Sequence, residues 1–314
     1  MQRIVITGSS GYLGRKLVAT LLKQGKTVLG IDITNAPDDG GPSEFYQADI
    51  CDENLLEVVR SFAPDTIVHA AFIVKPIRDT KRMTAVNIGG TDNMIRIVRE
   101  VRPNRFLFVS SATALGAWPD NPIPLPDTWI PRARPEFQYA ADKTALEGKV
   151  SALAAEIPDT AVSWIRPAVV GGPKVDNYLS RFIFNNPMLV KIDGEDSTVQ
   201  FVHEDDVVGA TCAILEADAR GPFNVGPADW TTISLIAGET NRRTISLPFG
   251  VVWWAAWLAW KVHYFFHESP PGFLYFAKYP WVVSADRLRD EVGYKFQYSA
   301  EETMRAIIDG RRKK

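Results

Sequence analysis

Short unbroken apolar runs alternate with stretches of helical periodicity through the first half of the chain. Residues 4–7 (Ile-Val-Ile-Thr) read as a strand, and the pattern predicts further strands at 27–32, 45–50, 66–71, 105–111 and 161–166. Helices are predicted between them at 12–24, 55–62, 83–101 and 138–154. Strands that are apolar throughout, each followed by a helix, imply a parallel sheet covered on both faces. No internal repeat interrupts this rhythm. After residue 166 it fades: Pro and Trp become frequent and the segments irregular. Two later stretches, 201–209 and 223–226, still look like parts of the first unit. A clean linker is not visible, so a smaller second domain is expected to interleave with late elements of the first.

Bulk properties narrow the function classes. With 46% hydrophobic and 23% charged residues the chain has the composition of a globular protein, not a disordered or fibrous one. Its 314 residues suffice for a large core in one large or two modest domains. A net charge of −2 offers no electrostatic footprint for nucleic acid, and no nucleic-acid partner is expected. Cys51 and Cys212 lack metal-ligand spacing and fit a reducing compartment. Residues 1–7 already read as a core strand, so no signal peptide is expected and the predicted location is cytoplasmic.

The candidate chemistry lies at the predicted strand ends. Residues 7–14 (Thr-Gly-Ser-Ser-Gly-Tyr-Leu-Gly) join the first strand to the first helix. Gly8 permits a tight turn, Gly11 lets backbone approach a pyrophosphate, and Gly14 lets helix and strand pack closely. The helix N-terminus then faces the phosphates. Glycines in such a turn can be purely structural; their place between strand and helix favours dinucleotide binding. Asp32, about 20 residues beyond the first glycines, can accept both adenosine ribose hydroxyls and repel a 2′-phosphate, which favours NAD over NADP. Asp49-Ile50 follows the third predicted strand and could hold the adenine edge, or be a simple turn. Small Ala70 and Ala71 let a cofactor lie across the strand ends, while His69 reads as structural. Asn87 falls inside a helical run, either near the site or at a packing position. Ser111, in the Ser/Thr cluster closing the fifth strand, points into the expected crevice.

Tyr139 and Lys143 stand four residues apart, on one face of a helix with Cβ atoms about 5–6 Å apart. An ammonium beside a phenol favours the phenolate, which turns a poor acid–base group into a usable one at neutral pH. An ordinary helix surface carries such pairs too. Here Ser111, the glycine loop and Asp32 favour the catalytic reading.

This ordered set resembles the extended short-chain dehydrogenase/reductase family, nearest its 3β-hydroxysteroid dehydrogenase-like branch. The matching pieces are residues 7–14, Asp32, Asp49-Ile50, His69-Ala70-Ala71, Asn87, residues 111–116, Tyr139-x-x-x-Lys143, Arg166-Pro167 with Gly172-Pro173, residues 201–207 (Phe-Val-His-Glu-Asp-Asp-Val), and Asn224-Val225-Gly226. Residues 284–294 look like the family's closing segment. The resemblance implies an α/β fold: a Rossmann-type doubly wound parallel sheet with a smaller, interleaved C-terminal substrate domain. Residues 1–166 would bind NAD, with late elements from about 199–226, and 167–314 would mainly bind substrate. It implies Tyr139 as acid–base, Lys143 on the nicotinamide ribose, and Ser111 on the reacting oxygen. The implied cofactor-binding set is Gly8, Gly11, Tyr12, Leu13, Gly14, Asp32, Asp49, Ile50, Ala70, Ala71, Asn87, Tyr139, Lys143 and Pro167. Glu204, Asp205 and Asp206 belong to a structural family run, and no metal site is expected. Members often dimerise through the Tyr/Lys helix, so a homodimer is implied.

Departures from the family pattern bear on substrate. Sugar-nucleotide enzymes of the family usually carry an Asn shortly after the sixth-strand Arg and often an Arg just before the Phe-Val-His run. Here Ala168-Val169-Val170 and Val199-Gln200 stand there, which removes charge-assisted partners of a diphosphate. The dehydratase Asp-Glu pair is replaced by Ala112 and Thr113. In exchange, residues 247–260 are apolar all round a helix, continued by His263-Tyr264-Phe265-Phe266. At about 1.5 Å per residue the run is too short for a bilayer core of about 30 Å. It could cap an apolar pocket as a packed lid, touch a membrane surface with help from Arg311-Arg312-Lys313-Lys314, or make a subunit contact. The expected function is therefore an NAD-dependent oxidoreductase interconverting hydroxyl and ketone on a lipophilic small molecule, steroid-like or otherwise. The alternatives are a sugar-nucleotide epimerase and a non-enzymatic dinucleotide-binding redox sensor.

Overall fold

The computed structural model describes residues 1–37, 40–176, 178–184, 186–262 and 270–312. In chain order its first half runs β1 (Arg3–Thr7), α1 (Tyr12–Lys23), β2 (Thr27–Asp32), β3 (Glu44–Gln47), α2 (Leu55–Phe62), β4 (Thr66–His69), α3 (Thr80–Val101), β5 (Arg105–Val109), α4 (Gln138–Glu156) and β6 (Ala161–Pro167). Its second half runs β7 (Val169–Gly171), α5 (Tyr178–Phe184), β8 (Met188–Ile192), β9 (Thr198–Val199), β10 (Phe201–His203), α6 (Glu204–Glu216), β11 (Gly221–Val225), β12 (Thr231–Thr232), α7 (Ile233–Glu239), β13 (Arg243–Leu247), α8 (Phe249–Lys261), α9 (Leu274–Lys278), α10 (Asp286–Val292) and α11 (Ala300–Arg312).

Seven strands form one parallel sheet in the order β11-β6-β5-β4-β1-β2-β3. Strand alternation explains the unbroken apolar centre of β1, Ile4-Val5-Ile6. Ile4 and Ile6 enter one buried cluster with Leu17, Val18 and Leu21 of α1, while Val5 enters another with Leu55 and Val59 of α2 and Met94 of α3. Both faces of this centre are thus covered, as side chains that are apolar on both sides require. The strand order reverses direction between β1 and β4, and Thr7 pairs in register with both Ile31 and His69. This switch point opens a crevice at the carboxyl ends of the strands.

Several boundaries differ from the sequence pattern, each for a local reason. The third strand ends at Gln47 rather than at 50, because the Asp49 carboxylate accepts the Cys51 amide at 2.9 Å and turns the chain. β4 stops at His69, short of 71; the Ala71 amide donates to the Thr7 hydroxyl at 3.3 Å instead of a ladder carbonyl. Helix α3 starts at Thr80, ahead of 83, since Asp79 caps it by accepting the Arg82 amide at 2.9 Å.

The second half is built from small strand pairs. β10 pairs with β7, β12 with β9, and β13 with β8. Of the two late stretches expected beside the first unit, the second supplies β11, which joins the large sheet beside β6. The first supplies β10, which pairs outside that sheet. Helix α8 occupies 249–261 of the apolar run, and residues 263–266 lie outside the described residues. It is not buried all round: Ala256 alone is fully buried, and Trp254 is 66% exposed. No helix among the described residues is long and apolar enough to cross a membrane.

Candidate active site

A cavity of about 720 Å³ lies across the carboxyl ends of β1, β2, β4, β5 and β6. Its floor is the turn from β1 into α1. Gly8 holds φ at +72°, and a Cβ there would sit 2.7 Å from the Ala71 amide nitrogen; a Cβ on Gly14 would overlap the Gly8 carbonyl oxygen. Only glycine fits either position. Gly11 caps α1 without a side-chain hydrogen bond, so first-turn N–H groups remain for an anion. Tyr12 and Leu13 line the same stretch, and the buried Tyr12 hydroxyl has no protein partner. An orphaned buried donor beside bare helix N–H groups suits a bound pyrophosphate or ribose oxygen.

At the end of β2, Asp32 accepts the Ser10 amide at 3.0 Å through one oxygen, and the Thr34 amide and hydroxyl at 3.0 and 2.9 Å through the other. These bonds aim the carboxylate while it lines the cavity. Asp49, Ile50, Ala70, Ala71 and Pro167 line it too. Asn87 does not. It is fully buried; its oxygen accepts the Ile73 amide at 2.9 Å and its nitrogen donates to Asp142 at 3.2 Å. The amide is consumed in tying the segment after β4 to α4, so its cofactor assignment gives way to a positioning role. His69 lies between the hydroxyls of Thr7 and Thr91 at 2.7 and 3.0 Å, and burial lowers its pKa to about 3, which keeps it neutral.

The structure brings Ser111, Tyr139 and Lys143 together on one wall. Successive residues leave β5 in opposite directions. Ser110 donates to Glu147 at 2.5 Å, and Ser111 lines the cavity, its hydroxyl oxygen accepting the Thr113 amide at 3.2 Å and the Thr113 hydroxyl at 2.9 Å. Burial pushes the Tyr139 phenol up to about 12, with the neighbouring Ser111 hydroxyl pulling the other way. The expected lowering by Lys143 is not among the causes of this shift; desolvation dominates it. Lys143 donates to the Val109 carbonyl at 2.7 Å and lies 3.4 Å above the Phe72 ring. Burial lowers its pKa to about 7, against the opposing pull of Glu147 and Asp142. Behind this wall Glu147 accepts three bonds from the Arg166 side chain, at 3.1, 3.0 and 2.6 Å, and one from the Trp164 indole at 3.1 Å. This buried pair fixes α4 against β6.

Much of the remaining lining is apolar. Phe72, Ile73 and Val74 after β4, Ala168, Val169 and Val170 after β6, and Trp281 supply it. Gln200, where a diphosphate ligand was sought, donates to the Pro227 and Val283 carbonyls at 2.7 and 2.9 Å and accepts the Val283 amide at 2.9 Å, all within the fold. Two cations also border the cavity, Arg15 and Arg82. Sequence reasoning missed them, together with the Phe72–Val74 and Trp281 contributions: none belongs to a spaced motif, although Arg15 directly follows Gly14. Asp206 of the acidic run accepts the Tyr294 hydroxyl and the Gln297 and Tyr298 backbone amides, which explains that run as a fold element.

Comparison with known proteins agrees with this geometry. The sequence model of the NAD dependent epimerase/dehydratase family matches residues 4–226. An uncharacterised protein of Mycobacterium tuberculosis is 28% identical over 319 residues, covering 98% of this chain and 84% of its own. A UDP-glucose 4-epimerase of Mycolicibacterium smegmatis is 29% identical over 244 residues, 71% of this chain and 77% of its own. Among solved structures, the UDP-glucose 4-epimerase of Thermotoga maritima with UDP-glucose superposes with a TM-score of 0.75 at 20% identity, covering 99% of both chains. The Thermus thermophilus UDP-glucose 4-epimerase with NAD does so at 0.75 and 22%, again over 99% of each. These matches bear on the wider family and lend no support to the 3β-hydroxysteroid dehydrogenase-like branch. With more than two thirds of its length matched and the dinucleotide crevice built as described, the chain belongs to the NAD dependent epimerase/dehydratase family.

Proposed function

We propose that the chain interconverts a secondary hydroxyl and a ketone through Ser111, Tyr139 and Lys143. The observation that carries this reading is the convergence of Ser111, Tyr139 and Lys143 on one cavity that the glycine loop also lines. When bound, NAD supplies the hydride acceptor and donor at its nicotinamide. Gly8, Gly11, Tyr12, Leu13 and Gly14 hold the pyrophosphate side, and Asp32, Asp49 and Ile50 the adenosine side. Ser111 Oγ donates to the reacting oxygen, and Tyr139 Oη takes its proton as the alcohol becomes a ketone, returning it in the reverse direction. Because burial raises the phenol to about 12, Tyr139 needs a cation close by to act at neutral pH. Lys143, one helical turn away, is that cation when protonated.

For the substrate, the named relatives support a sugar nucleotide better than a steroid-like molecule. The leading reading is epimerisation of a nucleotide sugar, in which the hydroxyl is oxidised and then reduced from the other face. One observation favours a second reading, a lipophilic alcohol or ketone: the cavity beyond Ser111 is walled by Phe72, Ile73, Val169, Val170 and Trp281. Incubation with NAD and UDP-glucose separates them. Epimerisation gives UDP-galactose with no accumulating NADH, whereas the second reading gives NADH from apolar secondary alcohols and no change in UDP-hexoses. Dinucleotide binding with no turnover of either class would return the chain to a sensor role.

A further inference from the structure

We propose that the outer face of α8, with the basic segment 74–82 beside it, docks on an anionic lipid surface. Residues 247–262 contain one charged side chain, Lys261, and no carboxylate. The inner side of α8 is already satisfied: Phe249, Val252 and Trp253 pack on Ile192, Ala256 and Leu274. What remains is a surplus. Val251, Trp254, Leu258 and Val262 are each more than half exposed. Their spacing of three, four and four residues puts them on one helical face. Trp257 extends the stripe, its ring 5.4 Å from that of Trp254 and edge-on to it. Monomeric soluble proteins rarely leave such a contiguous apolar patch uncovered.

The surrounding chemistry selects the occupant. Indole rings favour the boundary between water and acyl chains. A helix lying in that plane binds more strongly when cations flank its apolar face. The Arg78 guanidinium lies 5.2 Å from the Trp260 ring centroid, so the 74–82 segment sits at the C-terminal end of α8. This segment carries Lys75, Arg78, Lys81 and Arg82 against a single carboxylate, Asp79, in a chain whose net charge is −2. Its Val74 is 45% exposed. A second copy of the chain is the poorer match, because the stripe has no carboxylate to answer a twin's cations. Val74 and Arg82 also border the cavity, so docking brings the cavity mouth to the lipid surface. The inference stands whichever substrate reading holds.

The test is co-sedimentation of the full chain with phosphatidylcholine vesicles with and without phosphatidylserine. Binding is expected to the anionic vesicles, to weaken with salt, and to shift tryptophan emission to the blue. Trp254→Glu/Leu258→Glu alters exposed positions, so thermal unfolding should match the unmodified chain while sedimentation with vesicles is lost. Arg78→Glu/Lys81→Glu should weaken binding to anionic vesicles by about tenfold or more. A chain that stays in the supernatant at low salt overturns the proposal. So does a solution dimer abolished by Trp254→Glu/Leu258→Glu without any vesicle binding, which would give the face to a second copy.

Discussion

The two ends of the cavity are built on opposite principles. At the cofactor end the backbone does the recognition: the turn at Gly8, the bare N-terminus of α1 and the oriented Asp32 carboxylate all follow from main-chain geometry. At the other end side chains do it, and they converge from distant places, Phe72 and Ile73 after β4, Val169 and Val170 after β6, and Trp281 near the C-terminal helices. A backbone-made site tolerates few sequences and therefore repeats across a family. A side-chain-made site can be relined without disturbing the sheet, which is how one fold serves several substrates. Tyr139 and Lys143 of α4 line the same cavity, packed against Phe72.

That contrast can be broken most sharply at Tyr139. Tyr139→Phe keeps the ring that packs edge-on against Phe72 but removes the proton carrier. We expect kcat to fall by about 10²–10⁴-fold with dinucleotide affinity unchanged, measured by steady-state kinetics and fluorescence titration. Equal loss of both would place Tyr139 in binding instead. Next comes the buried pair behind the wall. Glu147→Ala leaves the Arg166 guanidinium buried without its carboxylate and is expected to cost about 3–5 kcal/mol in urea unfolding. Lys149→Ala, which opens an exposed pair with Asp92 on the same helix, should stay within about 0.5 kcal/mol.

A pH dependence belongs to the same wall. Lys143 is lowered to about 7 by burial, from an unfolded value near 10.5. Between those values the unfolded chain binds the extra proton, so its contribution to stability is unfavourable below about 7 and is relieved as pH rises toward 10.5. Unfolding midpoints of the unmodified chain should therefore rise across that window relative to Lys143→Met. Parallel pH curves for the two proteins would mean that the buried amine is already compensated.

The same contrast explains what could be read from the chain alone. The strand–helix alternation, the glycine loop, Asp32 and the Ser111/Tyr139/Lys143 set were legible because each depends on local spacing or a backbone requirement. Element ends were less so. Asp49 and Asp79 set them through single side-chain-to-amide bonds, which periodicity does not register. Asn87 kept its place in the pattern yet spends its amide on Ile73 and Asp142, a fact visible only once those residues meet. Trp281 reaches the cavity from far along the chain with no motif around it. An all-apolar α8 carries no polar face to show which side looks outward.

The most direct test of the central claim is turnover by the unmodified chain and by Tyr139→Phe, supplied with NAD and the same panel of UDP-hexoses and apolar secondary alcohols, following both NADH and epimer formation. One substrate class should be turned over by the unmodified chain, with a rate at least about 100-fold lower for Tyr139→Phe. Equal rates in the two proteins would contradict that claim.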